Sequence, residues 1–245
     1  MLLRRVIKHV TDQNWVAVFI DFCIVVIGIF VAMQVQSWNV ERDNRQQERV
    51  YLQRILADVE LSITENRGML DFNSRYKDAI WIAFQSLIKC DLPEEKRNSF
   101  ATAIFNIGRF IPSNYTMGTV NEMRSAGLFK LITNTDIRDK INQLEQNENL
   151  DRILLPSITR RAANSMAYVD QNIVVNKEDV GPFANIRWDD LRINFETLCK
   201  DSQFLASITF TRSVREVYIR RNQTAIEQFE EIRETLIKEL ENKER

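Results

Sequence analysis

The side chains that most often carry acid–base, nucleophilic or metal chemistry are scarce in this 245-residue chain. Its single histidine is His9, which precedes a long apolar run. The remainder therefore has no His-based general acid, no His–Cys nucleophile and no His-ligated metal. The three cysteines are Cys23, Cys90 and Cys199, and their separations fit no CxxC or other metal-ligand pattern. Cys90 and Cys199 can form one disulfide or remain buried thiols. Asp189 and Asp190 are adjacent, so on a helix their carboxylates point apart and do not form the facing pair that acid–base hydrolysis needs. Serine and lysine are present without a hydrolase motif. Arg160–Arg161 and Arg220–Arg221 could contact phosphates, but each pair has acids nearby on a predicted helix, the pattern of a solvated face. The expectation is a noncatalytic protein with no catalytic residue, no metal and no cofactor. With 33 Lys+Arg against 34 Asp+Glu, a net charge of -1, no global attraction draws it to nucleic acid.

The most anomalous residue is Asp21, because it interrupts an apolar stretch from Trp15 to Val35 broken otherwise only by Gln34. As a helix this stretch spans roughly 31 Å, the thickness of a hydrocarbon core. Trp15 and Trp38 flank it, roughly 34 Å apart along a straight helix, where indoles favour the two headgroup zones. Arg4, Arg5 and Lys8 resemble the basic start of a signal peptide, but no A-x-A-like cleavage site follows and the run is long. An uncleaved transmembrane helix over 15–38 is expected, after a short tail at 1–14. Basic residues on the two sides balance (Arg4, Arg5, Lys8 against Arg42, Arg45, Arg49). The acid-free beginning of the tail leans toward a cytoplasmic N-terminus and a domain across the membrane. Asp21 either meets a partner within the bilayer or reaches water near the Trp15 level, about 9 Å away by helix rise. At about 100° per residue, Ala17, Asp21, Gly28, Ala32 and Asn39 fall on one small and polar stripe, which predicts homo-oligomerisation through the membrane helix.

The elements that follow read as helices. Only six Gly and four Pro leave few signals for strand turns. Leu52, Ile55, Leu56, Val59 and Ile63 share one face, so the membrane helix is expected to continue as a stalk and to be interrupted at Gly68. Phe72, Tyr76, Ile80, Phe84 and Leu87 define a second helix ending near Cys90, and Phe100, Ile104 and Ile107 a third, broken over 108–113. Gly127 fits the left-handed position that ends a helix. Thr133 with Asp136 matches a capping pattern that starts the next, which makes Gly127, Leu131, Asn134 and Arg138 a structural corner. The helix beginning near Ile137 is expected to break at Pro156. Residues 176–188 read as a loop, 189–198 as a short helix, and a final helix of some forty residues follows Ser202. The predicted fold class is all-α: one N-terminal transmembrane helix continuing into a stalk, then an extramembrane helical bundle over 39–245.

Two stretches resemble the bacterial single-pass membrane protein family DUF6090. Asp21, Val26-Ile27-Gly28-Ile29, Ala32, Gln34 and Trp38-Asn39 are similar to that family's acid, V-I-G-I run, A-x-Q and closing W-N. Met123, Ser125 and Gly127, then Leu131, Ile132, Asn134, Ile137 and Arg138, look like its L-x-S-x-G followed by L-I-x-N-x-x-L-R. Asp21 stands where the family more often has Glu. The resemblance covers the anchor and one corner; it implies a bacterial inner-membrane location and a helical domain, and it brings no activity. The function expected is a membrane-anchored interaction or scaffold protein with an unknown protein partner. The alternative is a helical domain that senses a small molecule and signals through the membrane helix.

Overall fold

A computed structural model of the protein describes residues 15–176 and 185–243. These divide into two compact units, one ending at Tyr51 and the other beginning at Leu52. The expected N-terminal tail and most of the 176–188 loop lie outside the described residues.

The chain is all-α in architecture. Helix α1 is Trp15–Ser74, α2 Lys77–Lys89, α3 Arg97–Asn106, α4 Gly118–Ser125, α5 Thr135–Gln171, α6 Phe195–Leu198 and α7 Ser202–Asn242. Near its N-terminus α1 is long and apolar enough to cross a membrane, and its side chains from Phe22 to Val40 are exposed apart from the half-buried Cys23. In the second unit, α1 changes character: Leu52, Ile55, Val59 and Ile63 are buried at helical spacing.

Gly68 does not interrupt α1, which continues to Ser74. An interior glycine costs only about 1 kcal/mol relative to alanine, and buried residues on both sides, Ile63 and Asn73, hold the helix. The break falls at 75–76, so Phe72 belongs to α1 and α2 begins after Tyr76. Pro156 does not break α5 either. A proline inside a helix costs about 3 kcal/mol, but α5 pairs with α7 on both sides of it. Asn134, Lys140, Asp151, Thr159 and Tyr168 of the α5 region meet Glu239, Thr235, Arg221, Tyr218 and Asp201 in turn, so the two helices run antiparallel along their lengths.

The 189–198 segment is not one helix. Trp188–Asp190 is a 3-10 turn, and Leu191–Arg192 forms a strand β2 antiparallel to β1, Val174–Val175; α6 then starts from Asn194, whose Oδ1 accepts from Thr197 N at 3.2 Å. Beneath it, Ile80, Leu87, Phe100, Ile104, Val169, Leu198, Phe204 and Ile208 form a core cluster. At its edge Cys90 and Cys199 are joined as a disulfide, with a Cα–Cα separation of 5.2 Å, tying the end of α2 to the end of α6. Cys23 is free.

Candidate functional site

Chain order alone does not bring the site together; a polar ladder on α1 does. Asp58, Ser62, Asn66 and Asn73 lie on one side of that helix and face the segment from Arg109 to Thr119, most of which has no backbone partner strand or helix of its own. Their side chains take the place of a neighbouring strand. Asn73 Nδ2 donates to Ile111 O at 2.8 Å while Ile111 N donates to Asn73 Oδ1 at 2.9 Å. Asn66 does the same with Asn114, at 2.7 and 3.1 Å. Ser62 Oγ donates to Thr116 O at 3.0 Å, and Thr119 N donates to Asp58 Oδ2 at 2.7 Å. Backbone groups that would otherwise be buried unpaired are thereby satisfied.

This segment is one wall of an open cleft of about 640 Å³, whose other wall is the middle of α5 and whose floor includes Tyr218 of α7. Asp151 is only 4% exposed there. Tyr115 donates its hydroxyl to Asp151 Oδ2 at 2.9 Å, and the Arg221 guanidinium lies 3.3 Å from Oδ1. The second contact is an ion pair without hydrogen-bond alignment, because Oδ1 is buried and accepts no hydrogen bond. Burial, and next the hydrogen bond to and charge of Asp151, raise the Tyr115 pKa above its ordinary value. The phenol therefore remains a proton donor throughout the neutral range. Thr159 and Tyr218 share a hydroxyl contact at 2.7 Å, and Tyr218 stacks on Phe110 with ring centroids 4.6 Å apart. Arg152, Pro156 and Arg160 form the α5 rim. Pro156 has no N–H to offer the carbonyl of Arg152, one turn earlier, so that carbonyl loses its usual helical donor at the cleft.

Beneath the other end of the ladder lies Arg215, 2% exposed. Its Nη1 donates to Asn73 O at 2.9 Å, and its Nη2 bonds the carbonyls of Asn106 and Arg109, with a longer contact of 3.4 Å to Ile107. A single guanidinium thus closes the C-terminal ends of α1 and α3, where the helix dipole favours a cation. Burial lowers its pKa from the ordinary value to about 10, which leaves it charged at neutral pH. Asn222 continues the network, accepting from Asn73 Nδ2 at 2.6 Å and donating to Ser113 Oγ at 3.0 Å.

The structure distributes the residues nominated from sequence differently. Trp15, Ala17 and Asp21 are in α1, but their side chains lie outside the described residues; Gly28, Ala32, Trp38 and Asn39 are exposed on the same helix. At the corner, Gly127 has φ +70°, Leu128 N donates to Met123 O and Gly127 N to Arg124 O, the paired bonds of a glycine-terminated helix. The capping residue of α5 is Asn134, not Thr133: Asn134 Oδ1 accepts from Ile137 N at 3.2 Å, while Asp136 pairs with Lys140. Its amide can serve both ends, because Nδ2 also donates to Glu239 Oε2 at 2.7 Å. Leu131 is half-buried in the turn and Arg138 half-buried on the first turn of α5. Neither belongs to the cleft. Of the arginine pairs read as solvated, Arg161 lies over the Phe210 ring at 4.5 Å and Arg221 on Asp151. Asp190 is engaged by Arg187, leaving no facing pair with Asp189.

Tyr115, Asp151, Tyr218, Arg215 and Asn222 were not nominated from sequence. One signal for them exists: positions 208, 211, 215, 218, 222, 225, 229, 232 and 236 alternate by three and four, so Thr211, Arg215 and Asn222 occupy core positions of α7. Among the described residues, no group of three or more His, Cys, Asp or Glu is placed to hold a metal ion. No family model, no curated protein and no solved structure matches the chain.

Proposed function

We propose that the chain is a membrane-tethered, noncatalytic helical protein of the bacterial inner membrane, resembling DUF6090, with its N-terminus in the cytoplasm and its domain in the periplasm. The observation that carries this reading is the exposed apolar beginning of α1: Phe22, Ile24, Ile27, Phe30 and Val31 have no protein cover. A soluble domain seldom leaves so long a hydrophobic helix in water. The Cys90–Cys199 disulfide supports the placement, because structural disulfides persist in oxidising compartments. A role in holding a protein partner is supported by α5, where Leu150, Ile153 and Leu154 form an uncovered stripe at helical spacing and Ile153 is 72% exposed. Self-association through Gly28 and Ala32 remains part of the proposal. Crosslinking in native membranes tests it: single cysteines at Gly28 or Ala32 should join two copies, and a protein should copurify with the wild-type chain but not with Ile153→Asp. Monomeric chains without a copurifying protein would remove the interaction reading.

A second reading, ligand sensing, is favoured by the cleft. Its 112–115 wall is hydrogen-bonded through Asn114 to Asn66 of α1, and the adjoining Ile111 to Asn73, so a molecule that displaced this wall would disturb the same helix that holds the apolar segment. Saturable ligand binding lost in Tyr218→Ala, with no protein partner, would favour sensing.

A further inference from the structure

From Arg109 to Met117 the chain runs without a turn or bend, and it is paired along one edge only. Asn114 directs its N–H and C=O to Asn66, and Thr116 directs its carbonyl to Ser62, both on α1. In an extended chain alternate residues direct these groups to the same side and their neighbours to the other. The backbone groups of Ser113 and Tyr115 therefore face away from α1. Among the described residues, neither the N–H nor the C=O of these two has a hydrogen-bond partner. Ile111 also bonds α1, out of phase with Asn114, and the phase shifts at Pro112, which has no N–H to present.

The side turned from α1 is the side that faces α5 across the cleft of about 640 Å³. An extended edge with unpaired N–H and C=O groups is a template for an added strand. Ser113 and Tyr115 have the spacing of alternate residues that each exchange two bonds with an antiparallel neighbour. From Pro112 to Thr116 the edge is roughly 13 Å long at about 3.3 Å per residue, enough for about four or five residues of a second chain. Side chains of that second chain would meet an apolar bed of Leu155, Pro156, Ala163 and Tyr218. The bonds from Tyr115 to Asp151 and between Thr159 and Tyr218 already fix the walls and floor, so little ordering is needed on entry. Arg152 and Arg160 stand on the rim with Glu148, which favours an acidic residue in the occupant.

We propose that the cleft binds an extended peptide segment of a partner protein, added as a strand to the free backbone edge of Ser113 and Tyr115. The proposal rests on the reading of the chain as one that holds a protein partner. The full chain in detergent micelles is used to select from a phage-displayed library of short random peptides, and the enriched peptide is titrated by fluorescence anisotropy. Methylating its backbone nitrogens one at a time should weaken binding at least tenfold at alternate residues and spare those between, a pattern that docking by side chains alone does not give. Residue-resolved hydrogen exchange should slow at the Ser113 and Tyr115 amides on binding, and stay unchanged at Asn114, which Asn66 already holds. Ser113→Pro, which removes a donor, should weaken binding about tenfold, and Ser113→Ala, which keeps it, should not. Should the proline variant fail to fold, Ala163→Trp, which fills the cleft from an exposed position on α5, should abolish binding. No enriched peptide, binding indifferent to backbone methylation, or unchanged exchange at both amides would overturn the proposal. An enriched sequence matching a stretch of this chain would make the occupant a second copy and overturn the assignment to a partner protein. A protein that copurifies from native membranes while no peptide binds would overturn the proposal and leave the partner reading standing; the reverse result would support the site and count against that reading.

Discussion

Replacing Arg215 with methionine keeps an unbranched side chain in the core of α7 and removes every donor that the guanidinium supplies. The carbonyls of Asn73, Asn106 and Arg109 then lose a charge-assisted partner, while the 3.4 Å contact to Ile107 is too long to count. A hydrogen bond to a charged group contributes about 1.5–3 kcal/mol. Three at the lower half of that range give about 5 kcal/mol. Some is recovered, because a guanidinium no longer has to be held out of water, and apolar replacements of buried ions can recover about 1–4 kcal/mol. The net expectation is a loss of about 3 kcal/mol, or about 6–12 °C in Tm for a domain of this size. Arg215→Lys retains the charge but cannot fork between the ends of α1 and α3, and should lose about half as much. Thermal unfolding of the full chain in micelles, followed by far-UV circular dichroism, measures both. A methionine variant as stable as the parent would show that the guanidinium does not hold the two helix ends, and the reasoning from lost charge-assisted hydrogen bonds would fail.

The ladder makes a related prediction: Asn66→Leu leaves both backbone groups of Asn114 without their partners and should cost about 2–4 kcal/mol, with hydrogen exchange accelerated first over 111–117. The Cys90–Cys199 bond closes a loop with a sequence separation of 109, so Cys90→Ser with Cys199→Ser should lower stability by about 2–4 kcal/mol, read from the urea midpoint. Asp201 caps α7 through the amides of Gln203 and Phe204 and accepts from the Tyr168 hydroxyl at 2.7 Å. The Tyr168 hydrogen bond, then the Phe204 amide, lowers its pKa. A carboxylate held lower in the folded state stabilises it fully above the unfolded value of about 3.9 and loses that contribution as pH falls through the folded pKa. Asp201→Asn should therefore flatten the dependence of Tm on pH below about 4, and Tyr168→Phe should move the fall to higher pH.

Helices were legible in the sequence wherever apolar residues recur at three and four, as at Leu52, Ile55, Val59 and Ile63 on α1, or Ile80, Phe84 and Leu87 on α2. The predicted interruptions at Gly68 and Pro156 failed for a common reason. Local propensity costs about 1 and 3 kcal/mol there, and burial on both sides of each residue outweighs it. Gly127 was correctly placed because its φ of +70° is a local requirement. The cap was displaced by one residue, from Thr133 to Asn134, since both residue types can cap and only the turn geometry distinguishes them. The candidate site was less legible. Tyr115 and Asp151 meet across 36 positions and Asn73 and Asn222 across 149, distances at which helical periodicity carries no information. Part of it does lie in the sequence: on α7 the three-and-four spacing of the core positions continues through the polar residues Thr211, Arg215 and Asn222. Polar residues at core positions are the signal of a buried network.

Topology is the most direct test of the central claim. An alkaline phosphatase reporter, active only after export, is fused after Arg245 and expressed in bacterial cells. The fusion should be active, remain with the membranes after an alkaline wash, and become soluble when residues 15–38 are deleted from an exported form. An inactive reporter on a stably expressed fusion would reverse the orientation, and full-length protein released by the wash would contradict the membrane tether itself.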